Sequence, residues 1–432
     1  WMARVRRFRR GVGASQSRRY DVVSTHDALR TGVAPGLSRG LLVVLCAVMM
    51  LNPIVANMYL PALGIMASDL GTTIAGIQVA LTAFLLGVAV GQLVVGALSD
   101  AIGRRRLLVV GFAILTAAGV LVAAAPTFEV LVVGRVLQGL GASAGVVLAR
   151  AIIADLGVGS QVPRAYSLLM GSLAVGPLVS SFLGTLLLQV GGWRLILVGI
   201  AVVSAIFLLL AAWRVPESLA PERRAPLRFG RMAGSYGRLL RDPAYLGNAL
   251  AMAFALGGIM AHVSASSFVA QDVFGADVWG FWMMFTVYAL AVLVGGWINA
   301  PLSARFGPGR MIVIDQAIAI ASAAALTALS ATGRLTVGAY LPLIALGCAA
   351  ASGIMGNATT LTLARAAFAV GSGAALMGSL QFATGALTSP IGGLWGPHTA
   401  VPMAATMLAC FTLSLAARLF GRFWERRMAS RP

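Results

Sequence analysis

Apolar runs about 20 residues long follow one another from residue 41 to residue 420, and short polar turns separate them. Apolar residues make up 59% of the chain and charged residues only 10%. A helix needs about 20 apolar residues to cross a hydrocarbon core, and lipid offers the backbone no hydrogen-bond partner, so these runs must be helical. The sequence therefore predicts an all-α integral membrane protein with twelve spans. The predicted spans cover 41–63, 74–99, 105–125, 128–153, 165–190, 194–213, 244–270, 279–303, 310–330, 335–360, 373–394 and 400–420.

Arginine supplies all the basic side chains of this chain apart from histidine, since the sequence contains no lysine, and the net charge is +19. If both termini lie on one side, only Arg194 and Arg334 fall on the other side, while Arg135 and Arg150 lie inside span 4. Basic residues are enriched in the cytoplasmic loops of membrane proteins. The distribution therefore predicts that both termini are cytoplasmic and that the protein is a multi-pass protein of the bacterial inner membrane.

One long polar stretch divides the twelve spans into six and six. We therefore expect a first six-helix bundle at 41–213, a cytoplasmic linker at 214–243 and a second six-helix bundle at 244–420. A basic tail at 1–40, which we expect to be disordered, and a short tail at 421–432 complete the chain. Basic tails attract phosphates of nucleic acids or lipids. Here a topogenic role beside membrane lipid is favoured over nucleic-acid binding.

A charged turn after span 2, Gly96–Arg106, recurs weakly after span 8 as Ala300–Arg310. Duplicated six-helix halves, related by an axis along the membrane normal, leave such a repeat at equivalent positions. The sequence therefore predicts two pseudo-symmetric bundles. The matched positions are Leu98, Ser99 and Gly103 in the first half and Leu302, Ser303 and Gly307 in the second.

Three segments carry a resemblance to the major facilitator superfamily. The turn Gly96–Arg106 resembles motif A of that superfamily, and Arg135–Ser143 in span 4 resembles motif B. The pair Gly176 and Pro177 in span 5 is similar to the core of the antiporter motif C. The resemblance implies the major facilitator fold and small-molecule transport by alternating access.

Other segments narrow the resemblance to one branch of the superfamily. These are Met58–Ala62 at the end of span 1, Ser264–Val269 in span 7, Asn357 with Ala358 in span 10, and Leu380–Phe382 in span 11. They resemble the bicyclomycin and chloramphenicol resistance (Bcr/CflA) branch of the drug:proton antiporters. Over about residues 40 to 420, the resemblance implies multidrug efflux and antibiotic resistance.

The motif A resemblance implies a charge cluster at the cytoplasmic face. Glycines at both ends of the turn permit close helix approach and a sharp bend. Asp100 and Arg104 are expected to pair with Asp155 at the end of span 4 and to hold the outward-open state. The alternative is a turn that only fixes topology. The predicted gating residues are Gly96, Asp100, Gly103, Arg104, Arg105 and Asp155.

Arg135 lies about seven residues into span 4, where a guanidinium is unfavourable unless it faces a cavity or a partner. The resemblance places the motif B arginine near proton coupling. The alternative is a buried arginine satisfied by Gln138 or by backbone carbonyls. Arg150 lies nearer the cytoplasmic end, and we expect it to extend toward the membrane surface.

Position 57 departs from the branch, whose members usually carry an aspartate immediately before Met-Tyr-Leu-Pro. Asn57 stands there instead, and an amide does not titrate near neutral pH. His262 in span 7 and Asp315 in span 9 are the remaining candidates for a proton carrier. Transport is therefore expected, while proton antiport is left open.

The substrate is expected to bind between the halves near the membrane midplane, where such transporters gather spans 1, 4, 7 and 10. We expect a monomer that takes a small-molecule substrate and no cofactor. Cys46, Cys348 and Cys410 have no paired spacing, and no metal site is predicted. The predicted substrate-binding residues are Asn57, Tyr59, Arg135, Gln138, His262 and Asn357.

Three other classes of protein fit the sequence poorly. A membrane enzyme needs converging catalytic groups, but the three histidines are scattered at 26, 262 and 398. A nucleotide-driven pump needs a phosphate-loop lysine, which is missing. The sequence also shows no ring of charged residues of the kind that lines a channel pore. The predicted function is secondary active efflux of drug-like small molecules, and the alternative is a narrow exporter of a metabolite or self-made antibiotic with weak or no proton coupling.

Overall fold

The computed structural model describes residues 37–158, 161–224, 229–396 and 398–429. The predicted tail at 1–40 therefore lies almost entirely outside the described residues. Helices account for nearly all of the described chain.

Among the described residues, ten helices are long and apolar enough to cross a membrane. One of them, Gln161–Arg214, contains two spans, because Gly191 and Gly192 have non-helical backbone angles. The helix Val370–Thr388 completes a set of twelve, so the predicted all-α fold with twelve spans is confirmed. The spans are α1 (Arg39–Asn57), α2 (Ile74–Ile102), α3 (Arg104–Ala123), α4 (Phe128–Leu156), α5 (161–190), α6 (193–214), α7 (Pro243–Phe268), α8 (Val278–Phe306), α9 (Pro308–Ala331), α10 (Val337–Arg365), α11 (Val370–Thr388) and α12 (Val401–Ala429).

Helix ends coincide with residues that satisfy the free backbone groups there. The Thr73 hydroxyl accepts a hydrogen bond from a first-turn amide of α2, and the Asp277 carboxylate does the same for α8. α2 and α8 both end at a glycine with positive φ, 109° at Gly103 and 85° at Gly307. The weak repeat in the sequence thus corresponds to the same backbone turn in both halves.

The two bundles repeat one packing pattern. In the first bundle α1 packs on α5, α2 and α3 pack on α4, and α3 packs on α6. The same contacts recur six spans later, where α7 packs on α11, α8 and α9 on α10, and α9 on α12. The pairs α2 with α11 and α5 with α8 join the bundles, and a half-rotation exchanges them. This arrangement is the pseudo-symmetry that the repeat predicts.

Successive spans alternate in direction, so the turns at Gly103 and Gly307 and the linker helix Phe229–Leu240 lie at one end of the helices. We call this end the arginine-rich face and the other end the opposite face.

Candidate functional site

A cavity of about 900 Å³ lies between the two bundles, and its wall is formed by the halves of the spans nearest the arginine-rich face. α1 to α5 contribute from one bundle, α3 through its first residue Arg104, and α7, α10 and α11 contribute from the other. A cavity of this size accommodates a drug-sized molecule. Polar wall residues include Asn52, Gln92, Ser99, Arg150 and Gln381, and apolar ones include Met170, Met252, Met355, Met377 and Phe382.

The linker helix Phe229–Leu240 contributes to the mouth of this cavity through Tyr236. The Tyr236 hydroxyl donates a 3.3 Å hydrogen bond to the backbone oxygen of Leu93 in α2. Burial raises the pKa of Tyr236 above its ordinary value, so the hydroxyl stays a neutral donor. On the other side, the Arg238 guanidinium carbon lies 5.0 Å from the centre of the Phe368 ring between α10 and α11. The linker helix therefore contacts both bundles, which the sequence analysis did not anticipate.

The cavity is closed toward the opposite face, where the two bundles touch. The Gln78 amide in α2 donates to the backbone oxygen of Ser264 in α7, at 2.9 Å. One turn further along, the Thr82 hydroxyl donates to the backbone oxygen of Ala386 in α11, at 3.1 Å. Further contacts across this interface join Pro61 to Gln271 and Phe182 to Trp279 and Trp282.

Arg135 is 1% exposed and lies within the closed half of the first bundle. Its guanidinium donates to the backbone oxygens of Val55 in α1 (3.0 Å) and Ala80 in α2 (3.4 Å) and to the Gln138 side-chain oxygen (2.9 Å). Among the described residues, no carboxylate lies within ion-pair distance of it. Arg135 thus ties three spans together through neutral acceptors.

Two aromatic rings cover the Arg135 guanidinium. Its central carbon lies 4.3 Å from the centre of the Tyr59 ring and 4.9 Å from that of Phe84. Cation–π contacts of this kind stabilise a cation most where water is excluded. The predicted substrate-binding residue Asn57 is buried too, two residues along α1 from the Val55 oxygen that Arg135 binds.

His262 lies inside the second bundle and is 2% exposed. Its Nδ1 atom is 3.3 Å from the Tyr340 hydroxyl in α10, and its ring centre is 5.0 Å from that of Tyr288 in α8. Tyrosines on two other spans of the second bundle therefore contact the imidazole.

Asn357 belongs to a polar cluster that joins α8, α9 and α10. Its amide donates to the side-chain oxygen of Asn299 (2.8 Å) and to Asp315 (3.3 Å), and it accepts from the Ser303 hydroxyl (2.6 Å). Asn299 also donates to Asp315, at 2.6 Å. The carboxylate of Asp315 is therefore bonded to neutral amides, and the cluster lies behind α10 rather than on the cavity wall.

The motif A turn is the centre of a charge cluster on the arginine-rich face. Arg104 Nε lies 3.1 Å from the Asp155 carboxylate at the end of α4, and the Ser218 hydroxyl donates to the same carboxylate at 2.9 Å. The backbone amide of Arg104 donates to the Glu217 carboxylate at 2.8 Å, and Glu217 also lies 3.9 Å from Arg224. Arg104 and Asp155 were predicted from the motif resemblance, whereas Ser218 and Glu217 were not, because no pattern in the local sequence connects the linker to this turn.

The other motif A residues take different positions. Gly96 lies on the cavity wall, and Arg105 donates to the backbone oxygen of Ala212 at the end of α6. The side chain of Asp100 lies outside the described residues, so its part in the cluster stays a prediction.

The motif B glycines allow close packing of α4 on its neighbours. A Cβ at Gly139 would lie 3.0 Å from the Cα of Gly87 in α2 and would collide with a backbone oxygen there. A Cβ at Gly141 would lie 2.7 Å from the backbone nitrogen of Leu115 in α3. Both distances are too short for any larger residue, so these glycines set the spacing around Arg135.

The motif C glycine of α5 packs in the same way on α1. A Cβ at Gly176 would lie 2.9 Å from the Cβ of Pro53, and one at Gly184 would collide with the backbone of Met58. Between them, Pro177 is followed one turn later by Ser180, whose hydroxyl donates to the Pro177 backbone oxygen at 2.9 Å. Gly176 and Gly184 therefore face α1.

In this conformation the six predicted substrate-binding residues do not form the cavity wall. Five are enclosed in the closed half, where the bundles pack together, and the sixth, Asn357, faces α8 and α9. Arg150, which we expected to extend to the membrane surface, lies on the wall instead, because α4 turns that residue toward the space between the bundles. The five enclosed residues are Asn57, Tyr59, Arg135, Gln138 and His262.

Comparison with known proteins agrees with this architecture. The family model described as Major Facilitator Superfamily matches residues 45–390. The chain is 34% identical over 386 residues to the uncharacterized MFS-type transporter YdgK of Bacillus subtilis, with 87% of this chain and 93% of the relative covered. It is 30% identical over 380 residues to the bicyclomycin resistance protein homolog of Haemophilus influenzae, with 86% and 93% covered. A crystal structure of a D-xylose–proton symporter shares the fold, with a TM-score of 0.67, 16% identity, and 88% and 96% covered.

Proposed function

Since the chain belongs to the major facilitator superfamily, in its bicyclomycin and chloramphenicol resistance branch, we propose that it exports drug-like small molecules by secondary active transport. The observation that carries this proposal is the cavity of about 900 Å³ between the bundles, open toward one face and closed toward the other. Such a cavity suits a transporter, because it holds a drug-sized molecule and lies between the two bundles, where alternating access takes place.

The arginine-rich face is the cytoplasmic face in this proposal, so the open cavity takes substrate from the cytoplasm or the inner leaflet. Both termini and the linker at 214–243 are then cytoplasmic, in the inner membrane of a bacterium. A reporter enzyme that is active only outside the cytoplasm, fused after Arg241, gives no signal if this orientation holds. Strong activity of that fusion contradicts it.

Transport proceeds by rocking of the bundle at 41–213 against the bundle at 244–420. The contacts of Gln78 and Thr82 across the opposite face break in the outward-open state, and the arginine-rich face closes. The enclosed residues around Arg135 and His262 then line the outward half of the pathway, which is how they reach the substrate. The transporter works as a monomer, since each chain holds one complete pathway.

Proton antiport needs a titrating group that both sides can reach. Asn57 supplies none, so Asp315 and His262 are the candidates within the described spans, and each has only neutral hydrogen-bond partners. Asn57→Asp steepens the pH dependence of efflux if a carboxylate at that position can couple protons, while the control Asn57→Ser leaves it unchanged. Uncoupler-sensitive efflux by the natural sequence that survives loss of both His262 and Asp315 contradicts both assignments.

The second candidate function is a narrow exporter of one metabolite or self-made antibiotic with weak coupling, and Asn57 is the observation that favours it. A resistance panel in a bacterial host that lacks its own main exporters separates the two. The panel contains bicyclomycin, chloramphenicol and the anionic antibiotic fusidic acid, with an empty vector as control. Raised resistance to several compounds supports multidrug efflux, and raised resistance to one supports the narrow exporter. Unchanged resistance to all, with the protein folded in the membrane, contradicts drug export.

A further inference from the structure

The described residues of the cavity wall carry positive charge, and none of them carries negative charge. Among the described residues on it, Arg104 and Arg150 are basic and none is Asp or Glu. Charges on the wall of a low-dielectric cleft act strongly on a ligand, because little water screens them. The wall is therefore electrostatically suited to anions and opposes cations.

The two wall arginines differ in their partners. The Arg104 charge is compensated by Asp155 at 3.1 Å. For Arg150, no carboxylate among the described residues lies within ion-pair distance, and its buried Nε atom has no hydrogen-bond partner. The neighbouring Tyr166 hydroxyl donates to the Arg150 backbone oxygen, so it does not serve the guanidinium.

A buried Nε–H without an acceptor, as at Arg150, is unfavourable because its desolvation is not compensated. Asp155, five residues further along α4, is already bonded to Arg104 and Ser218. A ligand with an anionic group in the cavity would supply the counter-charge that Arg150 lacks among the described residues. Carboxylate, sulfonate and phosphonate groups each present two or three oxygens, and these oxygens accept paired hydrogen bonds from a guanidinium.

The remaining wall is suited to an apolar body attached to such a group. Four methionines and Phe382 face the cavity from both bundles, and methionine side chains adapt to varied shapes. The volume of about 900 Å³ limits the ligand to the size of a drug.

We propose that this exporter prefers amphipathic anions, whose acidic group binds Arg150 while the apolar part lies against the methionines of the cavity. The proposal rests on the proposed export function and specifies its substrate class. Neutral molecules lack the group that Arg150 needs, and cationic molecules meet like charge. The neutral residue at position 57 agrees with this, because an acid there would favour cations.

Three fluorescent probes with one ring system test the preference in the purified, detergent-solubilised protein. Dansylglycine is the anion, its methyl ester is the neutral isostere, and dansylcadaverine is the cation. We expect dansylglycine to bind about tenfold more tightly than the ester, the factor that corresponds to one charged hydrogen bond of about 1.4 kcal/mol. Binding of the cation is expected to be weaker still.

Two variants at position 150 and one control assign the preference to this residue. Arg150→Gln reduces dansylglycine binding about tenfold and leaves the ester unaffected, and Arg150→Lys, which keeps the charge but not the planar donor group, retains only part of the preference. Arg164→Gln, which removes an exposed arginine near the same face but off the cavity wall, changes neither probe. A melting temperature for each variant checks that it is folded.

The outcomes separate this inference from the export function. Equal binding of the three probes, tighter binding of the cation, or an anion preference that Arg150→Gln leaves intact would each overturn the anion proposal. Binding of none of the probes by a protein that confers resistance also overturns it, while export stands. An Arg150-dependent anion preference in a protein that confers no resistance supports the binding site and contradicts export.

Discussion

Gln78 in α2 donates a 2.9 Å hydrogen bond from its side chain to the backbone oxygen of Ser264 in α7. The bond crosses from one bundle to the other, and Gln78 is 1% exposed. Because it forms only where the bundles are in contact, it stabilises the state in which the cavity opens toward the arginine-rich face.

Gln78→Ala is therefore expected to shift the protein away from that state. A hydrogen bond contributes about 0.5–1.5 kcal/mol, which corresponds to about a twofold to tenfold change in the ratio of the two states. Labelling of Met355→Cys on the cavity wall by a polar maleimide should slow, by up to that factor, in solubilised protein.

Gln316→Ala is the matched control, since Gln316 bonds to Ser414 within the second bundle. It should leave the labelling rate unchanged. Equal rates in Gln78→Ala and the parent would show that this bond does not favour either state.

Asp155→Asn is expected to reduce transport strongly while the protein stays folded. The amide cannot neutralise Arg104, which loses its ion pair near the motif A turn. Efflux assays with quantified membrane protein measure this, and Ser218→Ala, which removes only the second bond to Asp155, should have a smaller effect. Normal efflux in Asp155→Asn would reduce the turn to a topological signal.

Arg135→Gln is expected to abolish transport and to lower the melting temperature. The change removes bonds to the backbones of α1 and α2 and two contacts with aromatic rings. Arg194→Gln is the control, because Arg194 lies outside the bundle interior beside the Trp193 ring. A variant Arg135→Gln that is both stable and active would contradict a role for this guanidinium.

Gly139→Ala is expected to destabilise the first bundle by about 1–3 kcal/mol, the usual effect of forcing a methyl group into a packed interface. A Cβ there meets the backbone of α2. Thermal unfolding in detergent measures the effect, with Gly171→Ala in α5 as control, since nothing lies within 4 Å of a Cβ at that position. Equal stability of the two variants would show that α2 and α4 can separate without penalty.

The sequence by itself determined the class of fold and the locations of the sharp turns. Lipid offers no backbone partners, so apolar runs of this length must be helices, whatever their neighbours. The turns at Gly103 and Gly307 were recognisable because a positive φ there favours glycine. Arg104 and Asp155 were matched through a family resemblance, and the structure brings them to 3.1 Å.

The tertiary structure decided which polar residues share a space. Helix periodicity does not specify the rotation of each span or the tilt between bundles, so the sequence placed Asn357 in the cavity and Arg150 at the surface. The packed structure puts Asn357 behind α10, bonded to Asn299 and Asp315, and puts Arg150 on the cavity wall. These positions depend on contacts between residues far apart in the chain, such as Gln78 with Ser264, which no local pattern encodes.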